Sequence, residues 1–163
     1  MKNIYIGVDP GGSSGGVAII IKDEKGEKIE MMPFSKMTEH DFMSWMRGII
    51  LYEIKQGLSR EFIHCVIEKV HSMPAQGVSS SFAFGENYGW IRGIIQSMFL
   101  SYTLITPQSW MKTYGMKKTK EESKTEWKNR LKQLAQSKYP NEKITASTAD
   151  ALLIAHFCKI SNL

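Results

Sequence analysis

The sequence predicts an α/β domain: a mixed five-stranded sheet, an antiparallel meander of three strands followed by parallel strands, flanked by helices. Three observations carry this prediction. The first 32 residues alternate strand-like apolar runs with glycine-centred polar turns, the pattern of a meander. From residue 39 onward, stretches of helical period separate the later strand-like runs. One of those runs, residues 62–68 (FIHCVIE), is apolar nearly throughout, as a central strand covered on both faces should be. A length of 163 residues suits one compact domain, 1–163.

Each element follows in order. Residues 3–9 (NIYIGVD) read as a strand, 10–16 (PGGSSGG) as a turn and 17–22 (VAIIIK) as the second strand. The polar turn DEKGEK at 23–28 leads to a short third strand over 28–32. Phe42, Trp45, Met46, Ile49 and Ile50 share one face of a helix over 39–56, which Gly57 ends. After the strand at 62–68 comes a loop over 70–81 (VHSMPAQGVSSS). A helix over 83–98 follows, with Phe84, Tyr88, Ile91, Ile95 and Met98 as its apolar stripe. Residues 102–106 form a strand and 107–112 a short helix. A long basic helix over 120–138 is broken by Pro140 and Asn141, and the last helix begins near Ser147 and runs to about Lys159.

The hydrophobic fraction of 42% is ordinary for a globular core. The net charge of +5 and pI near 9.1 suit a polyanionic partner. Cys65 and Cys158 lie in apolar runs without C-x-x-C spacing, so buried thiols in a reducing compartment are expected, and no zinc site. The N-terminus enters a strand without signal-peptide organisation, and no apolar run reaches the ~20 residues of a membrane helix. A cytoplasmic protein with no membrane partner and no organic cofactor is expected.

Candidate chemistry starts with acids at strand ends. Asp9 closes the first strand and Glu68 closes the apolar run CVIE. Burying an unpaired carboxylate costs several kcal/mol, roughly, and a hard divalent cation removes that cost. For either acid alone, simple solvation at a strand end is the commoner explanation; for the pair, a metal is favoured. Asp150 is the third acid, on one helical stripe with Ile154 and Phe157. Ser147-x-x-Asp150 also fits a capping box, so Asp150 reads equally as a cap and as a metal ligand. Three acids gathered by a mixed sheet would suit two-metal phosphodiester hydrolysis. The turn DPGGSSGG admits another reading, a backbone cradle for phosphate as in actin-like ATPases, although it lacks the Walker lysine.

Four segments then carry a resemblance. IGVDPGGSSGGVAII, VIEKVHSMPAQGVSSSFAFGENYGWIRGI, ITPQSWMK and TADALLIAHF occur in this order over nearly the whole chain. Together they resemble the RuvC-type Holliday-junction resolvases, above all the compact bacteriophage RuvC-like subgroup, and the loop is also similar to that of the chloroplast resolvases. The resemblance implies a ribonuclease H-like fold. It also implies Mg²⁺ or Mn²⁺, two ions per site, and a homodimer acting on four-way junctions and other branched DNA. It assigns catalysis and metal binding to Asp9, Glu68 and Asp150. One departure stands out. Where the family has a further Asp or His, three or four residues before the last acid, this chain has Ser147 and Ala146; Glu142 or water would have to substitute. A non-catalytic junction-binding protein is therefore the alternative, with an actin-like nucleotide-binding enzyme behind it. A ribonuclease acting on RNA–DNA hybrids is a neighbouring class that the acids alone do not separate.

The residues expected to hold DNA are Lys69, His71, Ser79, Ser80, Phe82, Lys112, Lys117 and Lys118. Lys117 and Lys118 follow the Trp110–Gly115 turn and resemble the family's DNA-contacting lysines. The basic run over 124–138 reads equally as a phosphate track and as a solvated face with charge pairs among Lys118, Glu122, Glu126 and Arg130. Gly85, Gly89 and Gly93 make a flat ridge that implies close approach of another backbone, either the chain's own sheet or the twin helix of a dimer. Phe84 and His64 are assigned to the core, and His156 to a helical face away from Asp150.

Overall fold

A computed structural model describes residues 1–71, 77–161 and 163. At its centre runs β1 (Asn3–Asp9), paired antiparallel with β2 (Gly16–Asp23) on one side and parallel with β4 (Ile63–Glu68) on the other. β3 (Gly26–Pro33) extends the antiparallel half and β5 (Thr103–Ile105) the parallel half, giving the order β3-β2-β1-β4-β5. The mixed five-stranded sheet is the predicted one. α1 (Glu39–Lys55) and α2 (Val78–Ser97) cover one face; α3 (Pro107–Thr113), α4 (Lys124–Lys138) and α5 (Ala146–Ile160) lie on the other.

Strand alternation sorts the side chains. Ile4, Ile6 and Val8 of β1 pack with Phe42, Met46, Ile91 and Ile95 on the α1–α2 face. Ile63, Cys65 and Ile67 of β4 join them, whereas Val66 belongs to the opposite cluster with Trp110, Leu131 and the α5 side chains. Positions 5, 7 and 9 of β1 and 64, 66 and 68 of β4 thus face α5. The two cysteines are buried free thiols, as expected. No helix among the described residues is long and apolar enough to cross a membrane.

Three helix starts differ from the sequence expectation. α2 begins at Val78 rather than 83, so the predicted loop 70–81 is helical in its last four residues; residues 72–76 lie outside the described residues. Serines compete with the backbone in helix interiors but are tolerated in a first turn, where the N–H groups lack helical partners anyway. α4 begins at Lys124 rather than 120, because Ser123 and Glu126 form a reciprocal capping box that fixes the start. α5 begins one residue early, capped by Thr145 and Thr148 instead of Ser147 and Asp150.

Candidate functional site

The last of these differences decides the role of Asp150. With Thr145 as N-cap, Asp150 stands in the second turn of α5, its side chain unused by the cap. It is 4% exposed. Its Oδ2 accepts from the Lys128 ammonium, and its Oδ1, also buried, has no hydrogen-bond partner among the described residues.

Gly7 brings this helix onto β1. A Cβ at Gly7 would lie 2.2 Å from the Ala155 backbone nitrogen and 2.3 Å from the Ala151 carbonyl oxygen, so only glycine lets the helix backbone rest on the strand. Two residues on and on the same face, Asp9 is brought within electrostatic reach of Asp150. Glu68 ends the neighbouring parallel strand one step past the Val8–Ile67 pair, again on the α5 face. Asp9 and Glu68 are buried, and each has one oxygen engaged: Asp9 Oδ1 accepts from Gly11 N at 3.3 Å, and Glu68 Oε1 from Trp110 Nε1 at 3.4 Å.

The acids press on one another. Burial, then the Asp150 charge, pushes the Asp9 carboxyl up to about 6, against the opposing pull of Lys128 and the Gly11 amide. Burial, then Asp9 and Asp150, pushes Glu68 up to about 8. Burial pushes the Lys128 ammonium down, but the surrounding carboxylates, Asp150 first, outweigh it and leave it above its ordinary value. Three buried carboxylates facing one lysine form a centre short of positive charge.

The donor chemistry fits a hard divalent ion: carboxylate oxygens, one of them buried and without a protein donor among the described residues. As they stand, no three His, Cys, Asp or Glu side chains among the described residues are in ligating geometry. Asp150 is drawn to Lys128 and Glu68 to Trp110, so the acids are neighbours in charge without converging on a point. Glu142 is not among the charges acting on Asp9 or Glu68. Lys128, read from the sequence only as one lysine of a basic run, is the residue that sequence reasoning missed. The signal lay in its place beside the Trp127–Leu131–Ala135 stripe that packs α4 on α5.

The expected DNA-holding residues fall into three groups. Lys112, Lys117 and Lys118 surround one groove of about 580 Å³ whose apolar lining includes Met111, Met116 and Trp127. Lys69 and His71 are exposed just beyond Glu68, with Lys69 N donating to Ile105 O at 2.6 Å. Ser79, Ser80 and Phe82 stand in the first turns of α2 rather than on a loop, with Phe82 67% exposed. Phe84 is half-buried rather than core. His64 is half-buried and stacks on Tyr5 at 5.3 Å. His156 bonds the Tyr114 hydroxyl at 2.9 Å, away from the acids as expected. In the 124–138 run Arg130 pairs with Glu122 at 2.8 Å, a charge pair of the solvated-face kind. Among the described residues, a Cβ at Gly85, Gly89 or Gly93 would meet nothing within 4 Å, so the ridge does not pack on the chain's own sheet.

This architecture, with its acids at the ends of two parallel central strands and in the last helix, is a ribonuclease H-like fold of the RuvC type. It superimposes on Thermus thermophilus RuvC in complex with a Holliday junction substrate with a TM-score of 0.57 and 11% identity, over 98% of this chain and 96% of that one. A second Thermus thermophilus RuvC structure gives a TM-score of 0.52 and 13% identity over the same shares. No protein-family model matches the sequence, and no characterised protein matches it by sequence.

Proposed function

We propose that the chain is a structure-selective endonuclease that resolves four-way junctions and other branched DNA. Asp9, Glu68 and Asp150 would hold Mg²⁺ or Mn²⁺. The observation that carries this reading is the cluster of three buried acids with an Asp150 oxygen unpartnered among the described residues, on a RuvC-like fold. Held there, a divalent ion would supply activation of water and stabilisation of the leaving oxygen, which would leave 5′-phosphate and 3′-hydroxyl ends.

The chain's own residues do the rest. Gly7 sets the distance between β1 and α5, and so holds Asp150 in register with Asp9. The Trp110 indole N–H fixes one oxygen of Glu68. Lys112, Lys117 and Lys118 offer a cationic rim for the phosphate backbone, and Lys69 and His71 a second one beside Glu68. Phe82, projecting from the start of α2, is placed to stack on an unpaired base. The open glycine face of α2 offers a second copy a close approach, which fits a homodimer with two active sites on one junction.

The test is cleavage of a labelled four-way junction, with linear duplex as control, in EDTA, Mg²⁺ and Mn²⁺. Metal-dependent cuts near the branch point that Asp9→Asn abolishes while still binding the junction are expected. A junction bound but uncut under every metal condition would replace this reading with the non-catalytic junction-binding one.

A further inference from the structure

We propose that the Lys128 ammonium is the second cation of this centre, so that Asp9, Glu68 and Asp150 take up one divalent ion rather than a pair. The inference rests on reading the three acids as a metal centre and goes beyond it in fixing the ion count.

Placement comes first. The buried stripe Trp127, Leu131 and Ala135 seats α4 on α5, and Lys128 stands at its edge. Its side chain is 28% exposed, the stem covered and the ammonium turned inward onto Asp150 Oδ2. Among the described residues no other lysine or arginine pairs with an acid of the centre.

Charge comes second. Three carboxylates carry three negative charges. Lys128 and one divalent ion supply three positive charges, whereas Lys128 and two ions would leave a surplus of two in a buried place, where uncompensated charge is expensive.

Oxygen count comes third. Two ions about 3.5–4 Å apart need a carboxylate that lends an oxygen to each. Here the Asp150 oxygen that could reach a second ion, Oδ2, is already taken by the Lys128 ammonium, while Asp9 Oδ1 and Glu68 Oε1 each accept one hydrogen bond, from Gly11 N and Trp110 Nε1. Asp150 Oδ1, buried and without a partner among the described residues, remains for one ion, which Asp9, Glu68 and water would complete once the carboxylates turn onto it.

The experiment titrates Mn²⁺ alone into the full chain by calorimetry and follows its electron paramagnetic resonance. Wild type should bind one Mn²⁺ per chain with the six-line signal of an isolated ion. Lys128→Met should take up a second ion and show an exchange-coupled pair, and Lys128→Arg, which keeps the charge, should stay at one. A side chain that merely packs α4 on α5 would not move this signature. Circular dichroism checks each fold, and Lys128→Gln replaces Lys128→Met if the latter does not fold. A coupled pair in wild type, or a single ion in both uncharged variants, overturns the proposal. If Asp9→Asn binds Mn²⁺ as wild type does, or wild type binds none, the metal-centre reading itself fails and the proposal falls with it.

Discussion

Replacing Glu68 by glutamine should stabilise the metal-free protein, increasingly so as the pH rises. The Glu68 carboxyl is moved from 4.5 up to about 8 in the folded chain. It therefore holds its proton more tightly folded than unfolded. The stability this gives is complete below pH 4.5 and is lost as the pH rises through about 8. Each tenfold change in proton affinity is worth about 1.4 kcal/mol, so at pH 7 the loss is on the order of 3 kcal/mol. Glutamine is the neutral counterpart of the protonated acid, can still accept from Trp110, and does not titrate. In EDTA, wild type and Glu68→Gln should melt close together at pH 4.5. By pH 7 the variant should be ahead by roughly 6–12 °C, taking 2–4 °C per kcal/mol for a chain of this size. Differential scanning fluorimetry from pH 4.5 to 9, repeated with Mg²⁺, measures this directly. Added metal should raise the melting point of wild type above pH 6 and leave the variant nearly unmoved. A wild-type melting point indifferent to pH, or a variant less stable than wild type at pH 8, would refute the electrostatic account of the centre.

Other expectations follow from single contacts. Gly7→Ala forces a methyl to within 2.2 Å of the α5 backbone and should cost about 3 kcal/mol or more, visible as a large fall in melting temperature; a fall under roughly 2 °C would mean that the helix does not rest on β1. Lys117→Ala and Lys118→Ala should weaken junction binding in a salt-dependent way, each lowering the slope of log K against log salt by roughly 0.9, with melting unchanged. Phe82→Ala, at a 67% exposed position, should leave stability within about 0.5 kcal/mol and reduce the preference for junction over duplex by 1–3 kcal/mol, roughly, in a competition binding assay. Equal affinity ratios for variant and wild type would remove Phe82 from the DNA interface.

Much of the fold was written in local pattern. The alternating run of β1, the doubly apolar runs of β2 and β4 and the helical stripe of α1 each bury what their spacing says they bury. Helix starts were less legible, because several residues near each boundary could cap. Ser123–Glu126 and Thr145–Thr148 prevailed over neighbours of the same chemistry. Asp9 and Glu68 could be picked out because an acid closing an apolar strand is costly wherever the strand goes. The sequence by itself thus determined the sheet, its helical cover and two candidate acids, Asp9 and Glu68, and left Asp150 open between a helix cap and a ligand. Tertiary structure alone decided that Asp150 is released from its helix cap, that Gly7 carries it to Asp9, and that Lys128, 22 residues earlier in the chain, is its partner. The reason is physical. Strand and helix periods are set by neighbours a few residues apart, whereas the charge balance of a buried site is set by side chains that only the packing of α4, α5 and β1 brings together.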